Sequence, residues 1–184
     1  MSNIWEGNKI RLRAIEMSDL DGYFSERDVD GQRSGDRVTF PVSQTLMKDK
    51  VENAAKADPY GEEFCLIIED FEGNAVGTIN SHSCNQIDGI FEYGVGISVK
   101  ARGKGYASEA MRLFFKFFFL ELGYQKVESK VYSFNESSIK LQEKFGFVLE
   151  GKLRRHHFTL GKWHDAYCYG MTKEEFFDLY EYVI

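Results

Sequence analysis

Two glycines and two cations stand together in the stretch Val99-Lys100-Ala101-Arg102-Gly103-Lys104-Gly105-Tyr106-Ala107. Glycine turns sharply and lets main-chain amides approach a ligand with no Cβ in the way. A strand-like run from Ile90 to Val99 enters this stretch, and an amphipathic helix from Tyr106 to about Leu122 leaves it. The first amides of a helix have no intrahelical acceptor, and the helix dipole puts partial positive charge beside them. With Arg102 and Lys104 added, the chemistry is that of a seat for a phosphate or diphosphate. A glycine-rich turn with solvated cations would use the same residues, and the loop alone does not separate the two.

A second group lies further on. Asn135-Glu136-Ser137-Ser138 precedes a helix to about Phe145, and Gly146-Phe147 ends it. Taken by themselves, Asn135 suits a helix N-cap or an Asx-turn, and Ser138 suits a helix start. Glu92 lies in the central strand, where by itself it reads as a surface or ion-pairing carboxylate. The histidines are His82, His156, His157 and His164; lone histidines in strands are more often structural or exposed, and His82 and His157 are the ones to check.

The elements that must position these residues follow from periodicity. Lys9 to Ile15 alternates polar and apolar, as a half-buried strand does. Ser18 reads as the N-cap of a short helix through about Ser25, and Ser25 to Arg37 reads as a polar loop. Ser43 opens a helix to about Ala57. Glu63–Asp70 and Ala75–Cys84 make a hairpin about Phe71-Glu72-Gly73-Asn74, and Ile90–Val99 continues as an antiparallel strand. In the central helix Ala107, Ala110, Met111, Phe114 and Phe118 form the core face. Lys126–Tyr132 is the next strand; strand, helix and strand make a βαβ unit whose strands run parallel. A hairpin over about Glu150 to Asp165 follows, and Lys173 to Tyr182 reads as a final helix or tail.

The two blocks together resemble the GNAT superfamily of acetyl-CoA-dependent N-acetyltransferases. Arg102, Gly105 and Ala107 fill its Gln/Arg-x-x-Gly-x-Gly/Ala signature, and Asn135-x-x-Ser138 followed by Lys144-Phe145-Gly146-Phe147 is similar to its second hallmark. The tail hairpin and the Leu-Arg ending of the first strand resemble the RimJ/RimL type, which acetylates ribosomal-protein N-termini, and the related spermidine acetyltransferases. The resemblance spans nearly the whole chain. It implies an α+β fold: a central twisted mixed sheet of about seven strands, antiparallel in its first half, with a splayed parallel pair in the middle and four or five flanking helices.

The resemblance also implies roles. Arg102, Gly103, Lys104, Gly105, Tyr106 and Ala107 would hold the CoA diphosphate, and Asn135 would bond the pantetheine arm. The amides of Ile97 and Val99 would grip that arm and stabilise an oxyanion in the tetrahedral intermediate. Glu92, or else His82, His157 or water, would take the proton of the attacking amine; a carboxylate facing a hydrophobic cleft suits the task. Gln142 stands where many family members have a tyrosine proton donor, which leaves Ser138 as the preferred donor or carrier of a donating water. The missing tyrosine weighs against the spermidine branch. The implied activity is direct acetyl transfer from acetyl-CoA to a primary amine, on a protein N-terminus, a polyamine, an amino sugar or an antibiotic.

Composition bounds the rest. The 184 residues are read as one domain, 1–184, of ordinary apolar content (43%) and therefore able to bury a full core. A net charge of −6 argues against nucleic acid or an anionic membrane as partner and favours amine substrates. The cysteines, Cys65, Cys84 and Cys168, are odd in number and dispersed, and no Cys-His spacing suits zinc, so the expectation is a cytoplasmic protein with no metal. Met1 to Lys9 has no signal-peptide core. A homodimer is left open. Gly103-x-Gly105-x-x-Ser108 approaches a dinucleotide fingerprint, but its third glycine is missing and antiparallel strands precede it. No Walker motif exists. A CoA-binding sensor without catalysis is the rival of another class, kept open by Gln142.

Overall fold

The computed structural model describes residues 3–25, 29–35 and 37–180. The alternation of Ile10-Arg11-Leu12-Arg13 makes an edge strand, β1 (Ile10–Arg13), with Ile10 and Leu12 buried and the arginines turned the other way. Arg13 ties this edge down: it donates to Asp19 at 2.8 and 2.9 Å and pairs with Glu69. The Arg13 guanidinium holds the Asp19 carboxyl below the usual carboxylate range.

That tie corrects the reading of Ser18. Asp19 also accepts from the Glu16 amide at 2.8 Å, so the chain turns earlier, with Glu16 as the cap. Two 3₁₀ turns, Met17–Asp19 and Tyr23–Ser25, stand in place of one helix. The expected polar loop is also corrected, because it carries α1 (Val29–Gly35). This helix buries no residue, so no apolar periodicity announces it. Residues 26–28 and 36 of that stretch lie outside the described residues. Ser43 does open α2 (Gln44–Ala55), accepting from the Leu46 amide at 3.1 Å.

β2 (Cys65–Asp70), β3 (Ala75–Asn85) and β4 (Ile90–Ile97) follow as an antiparallel meander. β4 stops two residues earlier than expected. Ser98 donates back to Val76 and Ala101 to Ser98, both at 2.9 Å, which winds Val99–Ala101 into a 3₁₀ turn. Then come α3 (Tyr106–Leu120), β5 (Lys126–Tyr132), α4 (Glu136–Phe145), β6 (Val148–Thr159), β7 (Lys162–Thr172) and α5 (Lys173–Tyr180). The expected end of the last helix, at Tyr182, lies outside the described residues. The seven strands form one mixed sheet in the order β1-β2-β3-β4-β5-β7-β6, and with the flanking helices the architecture is α+β.

β4 and β5 run parallel, as the βαβ reading requires, but pair only at Ile90–Lys126, Phe91–Val127 and Glu92–Glu128. Beyond Glu92 they part. The root of this gap rests on α3, where Phe118 stacks on Phe91 with ring centroids 4.0 Å apart. The core face of α3 is wider than its period suggests: Leu113, Phe115, Phe119 and Glu109 are buried too, while Ala107 is half-buried. The reason is a second cover. Phe176 of α5 meets Phe119 at 5.4 Å and Phe115 at 6.3 Å, so α5 buries a flank of α3 beside the face that the sheet covers. α2 and the 3₁₀ turns cover the opposite sheet face, where Val51 packs with Ile15 and Ile67. The three cysteines are free, and among the described residues no helix is long and apolar enough to cross a membrane.

Candidate functional site

The glycine loop joins β4 to α3. Gly105 is the N-cap of α3 at φ +86°, and no side chain caps this helix. The first intrahelical bond runs from the Glu109 amide to the Gly105 carbonyl at 3.2 Å, so the amides of Tyr106, Ala107 and Ser108 precede the ladder. A helix start without a side-chain cap, led by a left-handed glycine, leaves its amides to an anion. A Cβ on Gly103 would meet nothing within 4 Å, so the loop bulges into open space there. Arg102 is anchored by its Nε to the Ile97 carbonyl at 3.1 Å, and Lys104 lies 5.8 Å from the Tyr106 ring centroid.

Main-chain direction in β4 alternates. Since the Ser98 amide turns to β3, the amides of Ile97 and Val95 turn the other way, into the gap. The Ile97 amide thus opens onto the gap, while Val99 belongs to the 3₁₀ turn beyond the strand, 60% exposed. Val95 is the residue that a strand ending at Ile97 offers in its place.

The far wall of the gap is β5 and the start of α4. Asn135 caps α4: its Oδ1 accepts from the Ser138 amide at 3.1 Å and from the Ser137 hydroxyl at 2.9 Å. Its carboxamide oxygen is thus spent locally, and its Nδ2 is the group available to a ligand. Ser138 sits half-buried in the first turn of α4. Gln142 is 2% exposed and its amide is engaged at both ends: its Oε1 accepts from the Tyr93 hydroxyl at 3.0 Å, and its Nε2 donates to Ser129 at 3.2 Å. Tyr93 and Ser129 are the residues just past the last paired positions of β4 and β5. Gln142 therefore bridges the two strands where they separate. Burial raises the Tyr93 phenol well above its ordinary range, and the hydroxyl stays protonated.

This network makes a stability prediction. Gln142→Leu leaves the Tyr93 hydroxyl and Ser129 buried without their partner, at a cost of about 2 kcal/mol. The double variant Tyr93→Phe, Gln142→Leu removes the orphaned hydroxyl and should recover part of that loss, giving a cost below the sum of the two single changes. Urea denaturation of the four proteins measures it; strictly additive losses would show that the bridge carries no energy.

On the sheet face opposite α3 lies Glu92, half-buried, with His82 of β3 and Glu128 of β5 as its cross-strand neighbours. Gly94 and Gly96 follow on the same face, so a strip of bare backbone runs from Glu92 toward the loop. Asn80 and Thr78 flank it, with the Tyr23 hydroxyl 3.4 Å from that of Thr78. At the end of β5, His157 stacks on Tyr132 with centroids 4.0 Å apart, and Phe134 meets His164 at 4.8 Å. His157 and His164 face each other across the β6–β7 hairpin.

Comparisons with known proteins identify the family. A family model described as Acetyltransferase (GNAT) domain matches residues 9–148. The uncharacterized N-acetyltransferase YokL of Bacillus subtilis (strain 168), SPbeta prophage-derived, is 42% identical over 172 residues, covering 94% of each chain. The spermidine N(1)-acetyltransferase of Vibrio cholerae is 28% identical over 101 residues, 55% of this chain and 58% of that one. A GNAT-family acetyltransferase structure from Bacillus anthracis superposes with a TM-score of 0.77 at 22% identity, covering 92% of this chain and 98% of that one. The family model spans well over half of the chain and the YokL match runs nearly end to end, so the chain belongs to the GNAT acetyltransferase family and is an acyltransferase.

Proposed function

We propose that the protein moves the acetyl group of acetyl-CoA to a primary amine, either a protein N-terminus of the kind taken by RimJ/RimL-type enzymes or a small amine such as a polyamine. The observation that carries this reading is the convergence of an uncapped α3 N-terminus, two cations and inward-facing β4 amides on one gap. Acetyl-CoA supplies the activated acyl group as a thioester. The loop Arg102–Ala107 holds its diphosphate, Asn135 bonds its arm from the α4 side, and the Ile97 and Val95 amides donate to that arm and to the oxyanion. The acceptor approaches over Gly94 and Gly96, between the polar side chains of Asn80, Thr78 and Tyr23. Glu92 takes the proton the amine must lose before it can attack. Ser138 delivers a proton to the departing sulfur, directly or through water, because Gln142 is engaged with Tyr93 and Ser129.

Thiol release from acetyl-CoA, followed with a panel of polyamines, amino sugars and N-terminal peptides, tests this. Glu92→Gln should lower kcat about a hundredfold, the scale of a lost general base, while its affinity for CoA stays that of the wild type. Turnover unchanged at both neutral and alkaline pH would remove Glu92 from the role. CoA binding without acetyl loss to any amine would favour a non-catalytic sensor instead.

A further inference from the structure

We infer that Lys9, on the N-terminal side of β1, is a third cation of the loop and binds a phosphoryl group of the cosubstrate, held in place by Glu109. This rests on the loop being the acetyl-CoA seat. Lys9 Nζ donates to the Lys104 carbonyl at 3.1 Å and lies 3.3 Å from where a Cβ on Gly105 would stand. An ammonium carries three protons, so the bond to Lys104 leaves two that can reach an anion on the same loop.

The placement is built, not incidental. Glu109, in the first turn of α3, is 5% exposed. Its Oε1 accepts from the amides of Asn8 and Lys9, the latter at 3.2 Å, and lies 3.9 Å from Arg112. Its Oε2 is buried with no hydrogen-bond partner. Gly7 packs so closely on this carboxylate that any Cβ there would overlap it. A carboxylate beside a phosphate seat would normally repel the ligand. Here it is turned onto the N-terminal turn and clamps Gly7–Lys9 against the start of α3, which delivers a lysine in exchange. Lys9, Lys104 and Tyr106 line a cavity of about 350 Å³ with Asp70, Phe71 and Glu72. Asp70 does not claim the lysines by contact: its Oδ1 accepts from the Glu72 and Asn74 amides at 3.0 and 2.9 Å within its own turn.

Calorimetry on Lys9→Met and Lys9→Arg with three donors decides the matter. The donors are acetyl-CoA, 3′-dephospho-acetyl-CoA and S-acetylpantetheine. Lys9→Met should bind acetyl-CoA about tenfold more weakly, the scale of one charge-assisted hydrogen bond, and Lys9→Arg should restore most of the affinity. S-acetylpantetheine, which has no phosphate, should bind both variants as it binds the wild type. An equal loss for the dephospho donor identifies the diphosphate as the group bound, and a loss confined to acetyl-CoA identifies the 3′-phosphate. Unchanged acetyl-CoA affinity in Lys9→Met, or an equal loss with S-acetylpantetheine, overturns the inference while the acetyltransferase reading stands. Failure of the wild type to bind acetyl-CoA would overturn both.

Discussion

Gly105→Glu should weaken acetyl-CoA binding by at least about a thousandfold, roughly 4 kcal/mol, and leave the fold standing. Two effects act at this residue and they can be separated. The backbone is left-handed, φ +86°, which costs a residue with a side chain about 1–2 kcal/mol. For a chain of this size that lowers Tm by about 2–8 °C. The second effect is electrostatic. The new side chain begins 3.3 Å from Lys9 Nζ, so its carboxylate enters the group of cations and fills the anion's place. Gly105→Ala carries the same backbone strain without the charge. Its affinity should fall no more than about tenfold, and the ratio of the two variants isolates the charge. Calorimetry gives the affinities and circular dichroism the fold. If Gly105→Glu bound acetyl-CoA within tenfold of Gly105→Ala, the loop would not be the seat.

The loop is legible in the sequence because everything it needs is local: a strand, glycines at fixed spacing, cations and a helix start. The parallel β4–β5 pair is legible for a similar reason, since a crossover helix of this length leaves no other direction. What escapes the sequence depends on contacts between distant residues. No pattern relates Lys9 to Lys104, and only the folded N-terminal turn brings them together. The buried Glu109 reads on paper as an ordinary acid in a first helical turn, because the two amides that engage it come from about a hundred positions earlier.

Gln142 shows the limit from another side. Its identity reveals that the family tyrosine is missing, but not that its amide is closed on Tyr93 and Ser129. The wound Val99–Ala101 turn escapes because the backbone bonds at Ser98 and Ala101 involve no side chain that could signal them. α1 escapes because it buries nothing, and periodicity reports burial. The width of the α3 core is underestimated for the same physical reason: one apolar face is visible as a period, whereas a helix covered on two sides has no single stripe.

Phe118→Ala should cost about 4 kcal/mol of stability, the range for deleting a fully buried phenylalanine, and lower Tm by about 8–16 °C. Phe118 is 0% exposed, and its ring meets five others: Phe91 at 4.0 Å, Phe114 at 5.1 Å, Tyr124 at 5.2 Å, Phe64 at 5.9 Å and Phe117 at 6.1 Å. These rings come from four different parts of the chain, so no single side chain can move in to fill the vacancy. Phe117, its neighbour, is half-buried and packs on Trp5 at 4.7 Å. Phe117→Ala should therefore cost only about 1–2 kcal/mol, although the deleted atoms are the same. The stack on Phe91 gives the loss a functional direction. Phe91 is one of the three β4 residues still paired with β5, beside Glu92, so a cavity beneath it loosens the point from which the gap opens. In protein kept folded by cooling, acetyl-CoA affinity should change only a few-fold, since the loop lies at the other end of β4, while kcat falls further. Denaturation and steady-state kinetics on both alanine variants check this. Equal stability losses at the two positions would mean that α3 does not pack as described, and an affinity loss exceeding the kcat loss would mean that the root of the gap does not position the reacting groups.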